Sequence, residues 1–182
     1  MRVLLLCSYR ALDPGEVALG LDATEDGKTL LDTQIEALLA LNMEVTCVLA
    51  GAQADEQLRR CRRLTEVDMV FDTATPTNLL SNAREGAQSA PHEACFILPV
   101  EVPVPPREVW DFLHSEYAKV GFGAQESVLQ TVVPGQGAPW HFGFPLLFTR
   151  QGCEQLQNTD DLAGLVDARL KYLHLAPEAK PL

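Results

Sequence analysis

The segment from Arg2 to Gly51 constrains the fold of this chain more than any other. Arg2-Val-Leu-Leu-Leu-Cys7 is an apolar run of strand length that opens into a loop from Ser8 to Gly27 holding Pro14, Gly15, Gly20 and Gly27. Thr29 to Asn42 then sets Leu30, Leu31, Gln34, Ile35, Leu38 and Leu39 at near-helical spacing, and Glu44 to Ala50 reads as a second strand ending at Gly51. A strand, long loop, helix and strand in this order close right-handedly onto a parallel sheet, with the loop at the carboxyl ends of the strands. Open sheets of this kind take ligands at that end, so chemistry is expected at the Ser8 to Gly27 loop and beside it.

The rest of the chain continues the alternation. A helix is expected from Asp55 to Thr65, a strand from Asp68 to Asp72, a polar loop from Thr73 to Asn78, and a weaker helix to about Ser89. Cys95-Phe-Ile-Leu-Pro99 is a continuous apolar run of the sort buried on both faces of a parallel sheet. Arg107 to Lys119 follows Pro105-Pro106 as a helix with Val109, Trp110, Leu113 and Tyr117 on one side. Ser127 to Val133 and Phe144 to Thr149 read as strands of an antiparallel edge, separated by a glycine and proline loop from Pro134 to Pro139. Thr159 to Leu170 reads as a helix, and Lys171 to Leu175 as a final strand. The expected architecture is one domain, residues 1–182: a Rossmann-like three-layer α/β/α unit with a mostly parallel sheet and a small antiparallel extension.

The 182 residues carry 47% hydrophobic and 21% charged side chains, as a globular chain with a real core does. A net charge of −11 argues against nucleic acid or an anionic membrane as a general partner. Arg59, Arg60, Arg62 and Arg63 form the one dense basic cluster, and a helix spreads them around its circumference as a solvated face. Five scattered cysteines, Cys7, Cys47, Cys61, Cys95 and Cys153, read as reduced core thiols. With no stretch of membrane-spanning length and no leader-like start, the expected compartment is the cytoplasm.

Several phrases, taken together, resemble the MobA-like nucleotidyltransferases, and the likeness in layout covers nearly the whole chain. Gly27-Lys28-Thr29-Leu30-Leu31 resembles that family's G-K-P-L-L, Leu98-Pro-Val-Glu101-Val-Pro103 its L-P-x-D-x-P, and Gly143-Phe144-Pro145-Leu-Leu-Phe148 its G-H-P-V-L-F. Ser81-Asn-Ala-Arg-Glu-Gly86 resembles S-S-L-x-x-G, and Asp160-Asp161-Leu-Ala-Gly164 faintly echoes G-D-x-G-A-R. The resemblance implies a nucleotide in the crevice, a magnesium ion on the carboxylate at Glu101, and a small phosphorylated acceptor such as a molybdopterin. On the same footing Ser8, Arg10, Ser81 and Gly86 are candidate nucleotide contacts.

The first loop departs from the family pattern. Against L-A-A-G-x-S-x-R-M-G-x-x-K, the segment Leu5 to Val17 has Ser8 for the key glycine, Leu12 for the arginine and Val17 for the lysine. A glycine lets backbone N–H groups approach phosphates, and the two cations neutralise charge developing on the transferred group. Loss of one such stabilising donor costs roughly 3 to 4 kcal/mol in the transition state. The reading that follows is a degenerate member with lost or much reduced nucleotidyl transfer that binds a small ligand or a protein partner in the old crevice. Two alternatives stand beside it: a working magnesium-dependent nucleotidyltransferase, and a non-catalytic interaction subunit, oligomeric or bound to another chain.

Each candidate also has an ordinary structural explanation. Glu101 suits an exposed strand-end carboxylate, Arg10 a surface arginine, and Ser81 with Gly86 any loop-to-helix turn. His141, near Gly143, either stands in for the family's histidine or packs beside Trp140. Cys7 at its strand end is either a nucleophile or a buried thiol. The sequence has no Walker-type phosphate loop, nucleophile elbow, C-x-x-C pair or histidine pair at metal-ligand spacing.

Overall fold

Successive strand residues face opposite sides of a sheet, so an unbroken apolar run needs cover on both faces. The computed structural model, which describes residues 1–7, 19–74, 78–90, 93–120, 128–132 and 144–174, supplies that cover. Its strands are β1 (Arg2–Leu6), β2 (Glu44–Ala50), β3 (Asp68–Asp72), β4 (Cys95–Pro99), β5 (Val128–Val132), β6 (Leu146–Phe148) and β7 (Leu170–His174). Among the described residues they form one sheet in the order β3-β2-β1-β4-β6-β5-β7. β1, β2, β3 and β4 run parallel, and β5 runs parallel to β7.

The helices are α1 (Leu30–Ala40), α2 (Ala54–Arg60), α3 (Leu79–Ser89), α4 (Arg107–Val120), α5 (Arg150–Leu156) and α6 (Leu162–Arg169). Val3, Leu5, Cys47, Leu49, Phe96 and Leu98 face one way and pack with Leu31, Ile35 and Leu38 of α1 and Trp110 and Leu113 of α4. Leu4, Leu6, Val48, Cys95 and Ile97 face the other way, against Ala83 and Ala87 of α3 and Cys153 and Leu156 of α5. Burying each large aliphatic side chain contributes about 2 kcal/mol, so the two layers together hold the sheet between its helices. Phe96 and Trp110 meet edge to face with ring centroids 5.0 Å apart, and the indole N–H donates to the Pro105 carbonyl at 2.9 Å. The three-layer expectation therefore holds.

Three elements differ from expectation. The strands read as an antiparallel edge do pair antiparallel as β5 and β6, but β6 lies inside the sheet, antiparallel to β4 as well. Leu146, Leu147 and Phe148 are all buried, in keeping with a strand that has neighbours on both sides. The helix expected over 55–65 stops at Cys61, whose φ of −91° and ψ of 113° lead out of it, and Arg63–Glu66 forms a short 3₁₀ turn. Both Cys61 and Leu64 turn into the core there. The Thr29 hydroxyl donates to Cys61 Sγ at 3.3 Å, and the Asp32 carboxylate takes the Arg63 N–H at 2.8 Å. The third difference is α5, where no helix is expected; the Thr149 hydroxyl caps it by accepting the Gly152 N–H.

The basic cluster behaves as a solvated face. Arg59 and Arg60 pair with Glu56, and Arg63 pairs with Glu36 and Glu66. Exposed pairs of this kind contribute little to stability. All five cysteines are free and buried. No helix among the described residues is long and apolar enough to cross a membrane.

Candidate functional site

β1 leads through α1 to β2 on one side, while β4 lies on its other side, so the carboxyl ends of β1 and β4 flank the point where the strand order reverses. Crevices form at such points. The Cys7 N–H donates to the Val48 carbonyl at 3.0 Å, and the Val100 N–H donates to the Leu6 carbonyl at 2.9 Å, so sheet bonding continues past both strand ends. After β4 the chain makes a tight turn in which the Val102 N–H donates to the Pro99 carbonyl at 3.0 Å. Glu101 sits within this turn.

Glu101 is half-buried rather than exposed, and both of its carboxylate oxygens are shielded from solvent. The plain reading as a fully exposed strand-end carboxylate is therefore corrected: sheet bonding draws the turn in against β1. The turn is also tied from α1, where Gln34 Nε2 donates to the carbonyls of Val100 at 2.8 Å and Val102 at 3.0 Å.

Cys7 is fully buried, and burial pushes its thiol well above the ordinary range. The neighbouring Cys47 and Cys61 and the Glu101 carboxylate push it further the same way. A thiol so raised stays protonated and is a poor nucleophile, which removes that reading of Cys7.

At the end of β3, Asp72 is fully buried and accepts three hydrogen bonds: from the Ala74 N–H at 2.8 Å, the Ser81 hydroxyl at 2.5 Å and the Asn82 amide at 2.6 Å. Ser81 also completes a capping box with Asn78, the two residues exchanging side-chain to backbone bonds at 2.9 Å each way. These contacts give Ser81 a structural task at the start of α3. Gly86 lies mid-helix against the sheet, where an added Cβ would meet Leu4 and Val48 side-chain carbons at 2.9 Å, so its place is explained by close packing. Replacing Ser81 by alanine should lower stability by about 1 to 2 kcal/mol in urea unfolding, the loss of a cap and of one donor to a buried carboxylate.

Ser8, Arg10, Leu12, Val17, Trp140, His141 and Gly143 lie outside the described residues. The structure thus brings Glu101 near Cys7 at the carboxyl ends of β1 and β4, and places Ser81 beside Asp72 at the end of β3. Gly164, in the segment echoing G-D-x-G-A-R, donates its N–H to the Asp161 carboxylate at 3.0 Å, so Asp161 caps α6. Two groups escaped the sequence reading as parts of the site. Gln34 carries a signal, a lone amide on an apolar helical stripe, whereas Asp72 looks like any polar strand end.

A divalent ion at Glu101 is a question of donor chemistry. No three His, Cys, Asp or Glu side chains cluster as a metal site among the described residues. Magnesium commonly takes one or two carboxylates and completes its shell with water and substrate phosphate oxygens. A single hard carboxylate at a strand end fits that habit, while a structural zinc site does not.

Comparison with known proteins gives the fold a family. Rv0371c from Mycobacterium tuberculosis H37Rv is 14% identical with a TM-score of 0.68, the match covering 96% of this chain and 87% of that one. A nucleotidyl transferase from Methanothermobacter thermautotroptrophicus is 16% identical with a TM-score of 0.64, covering 97% and 87%. A cytidylyltransferase from Leptospira borgpetersenii serovar Hardjo-bovis is 15% identical with a TM-score of 0.64, covering 97% and 75%. At such identities the likeness concerns the fold. No curated protein matches the sequence. The family model described as the MobA-like NTP transferase domain matches residues 21–174, beginning beyond the divergent Leu5 to Val17 segment. The chain belongs to the MobA-like NTP transferase domain family.

Proposed function

We propose that this protein binds a nucleoside triphosphate with a divalent cation at the β1–β4 crevice and transfers the nucleotidyl group slowly or not at all. The observation that carries the reading is the Glu101 turn, a half-buried carboxylate held at the strand-order reversal by bonds from two neighbouring elements. Glu101 would hold the ion, and a magnesium ion there would offset negative charge on the nucleotide phosphates. On a chain of net charge −11 that offset favours entry of a polyphosphate. Ser8, Leu12 and Val17 stand where the family's loop has its glycine, arginine and lysine, which leaves the phosphates fewer partners as transfer charge develops. The structure of Rv0371c in complex with manganese, a neighbour of the same fold, accords with a divalent ion in such a domain.

The test is thermal unfolding with GTP, CTP, ATP and UTP, each with and without Mg²⁺, alongside a pyrophosphate-release assay. At a hundredfold excess over Kd, ligand adds about 2.7 kcal/mol, or roughly 5 to 10 °C for a chain of this size. A magnesium-dependent rise with at least one nucleotide, abolished by Glu101→Ala, is the expected result, with pyrophosphate release near background. Rapid release with an acceptor such as a molybdopterin would replace this reading with a working transferase. No rise with any nucleotide would overturn it in favour of an interaction subunit.

A further inference from the structure

Four peptide planes surround Glu101, and each is tied. The plane before Val100 is fixed by its N–H to Leu6, and the plane between Glu101 and Val102 by the Val102 N–H to Pro99. The other two, carrying the Val100 and Val102 carbonyls, are tied to α1 by Gln34, at 2.8 and 3.0 Å. The Cα of Glu101 lies between the Val100 and Glu101 carbonyl planes, so one of the two planes that set its φ and ψ is bonded to a side chain from α1. A free amide nitrogen has two N–H donors, and here both are used.

The placement of Gln34 sharpens the point. It is 5% exposed on the stripe of α1 formed by Leu31, Ile35 and Leu38, a position that an aliphatic residue would fill without any polar group to desolvate. An amide fulfils there what an aliphatic side chain cannot, a bridge between two carbonyls on either side of one acidic residue.

We propose that Gln34 is a positioning residue for Glu101: by clamping the carbonyls of Val100 and Val102 it fixes the direction in which the Glu101 carboxylate leaves the backbone, and so sets the affinity for the divalent cation. The proposal rests on the reading of Glu101 as the group that holds that cation. Helix α1 thereby connects the apolar core to the turn that carries Glu101, with Gln34 acting through the backbone.

Manganese serves as the probe, its binding followed by water-proton relaxation with the full chain, in the presence of whichever nucleotide raises the melting temperature. Four proteins are compared: wild type, Glu101→Gln, Gln34→Met, and Leu156→Ala as a control destabilised in the opposite apolar layer. Partners that orient a metal-holding group typically tune affinity by 10-fold to 100-fold, so Gln34→Met should bind manganese roughly 10-fold more weakly. Leu156→Ala, though less stable, should keep wild-type affinity. Should Gln34→Met fail to fold, Gln34→Asn, which keeps the donors but is one methylene too short to reach both carbonyls, carries the same expectation. Manganese affinity unchanged in the Gln34 variant while Glu101→Gln loses it would overturn the positioning role and leave the metal reading intact. Unchanged affinity in Glu101→Gln would overturn both.

Discussion

Above pH 9 this protein should lose stability steeply, through its buried thiols. Cys7 and Cys47 are pushed above their ordinary value of 9.0 chiefly by burial, and Cys95 by its contact with Cys153 Sγ at 3.5 Å and then by burial. The folded pKa of each is raised, so the folded state keeps protons that the unfolded chain gives up. Stability is present in full below the unfolded value and falls as pH rises through it, until the folded value is reached. Each thiol contributes about 1.4 kcal/mol per pH unit in that window, so three contribute roughly 4 kcal/mol per unit. Set against a total of about 5 to 15 kcal/mol for a domain, unfolding within a few pH units of 9 is expected. Urea unfolding at pH 7, 9, 10 and 11 would measure the slope. A Cys7→Ala, Cys47→Ala double variant should shed about two thirds of what these three thiols contribute, which separates it from lysine and tyrosine titration. Equal slopes in the two proteins between pH 9.5 and 10.5 would defeat the argument.

What was legible in the sequence depended on whether a feature is local. The runs Glu44 to Ala50, Asp68 to Asp72 and Cys95 to Pro99 became strands with the expected ends, because apolar continuity and β-branched content act within the segment itself. The interior place of β6 was not legible, since Leu146 to Phe148 says that both faces are buried but not which neighbours bury them. Nor was the break at Cys61, which depends on Thr29 and Asp32 some thirty residues earlier in the chain. The same division governs the site. Glu101 stood out because its motif is contiguous, whereas the bonds from Gln34 cross 66 and 68 residues of sequence, and Asp72 gains its meaning only when α3 brings Ser81 and Asn82 against it.

Gly51→Ala should be among the most damaging single substitutions in the described part of the chain. Gly51 follows the last residue of β2, where Ala50 lies beside Asp72 of the parallel edge strand β3. A Cβ at Gly51 would sit 2.2 Å from the Asp72 carbonyl oxygen and 3.3 Å from Thr73 Cα. Both are backbone atoms, so no side-chain rotation can make room, and the ends of β2 and β3 would have to separate. Asp72 resists that movement, because its carboxylate is tied to Ala74, Ser81 and Asn82 and so to the start of α3. Overpacking of a tight site costs typically 1 to 3 kcal/mol, and a backbone clash belongs at the top of that range, about 3 kcal/mol. That corresponds to a fall in melting temperature of roughly 6 to 12 °C. Gly27→Ala is the useful comparison: at φ +76° with nothing within 4 Å of the added carbon, it meets conformational strain alone and should lose only about 1 to 2 kcal/mol. If Gly51→Ala proves as mild as Gly27→Ala, the β2 and β3 ends are not locked together as described. The Asp72 network would then lose its claim to fix the start of α3.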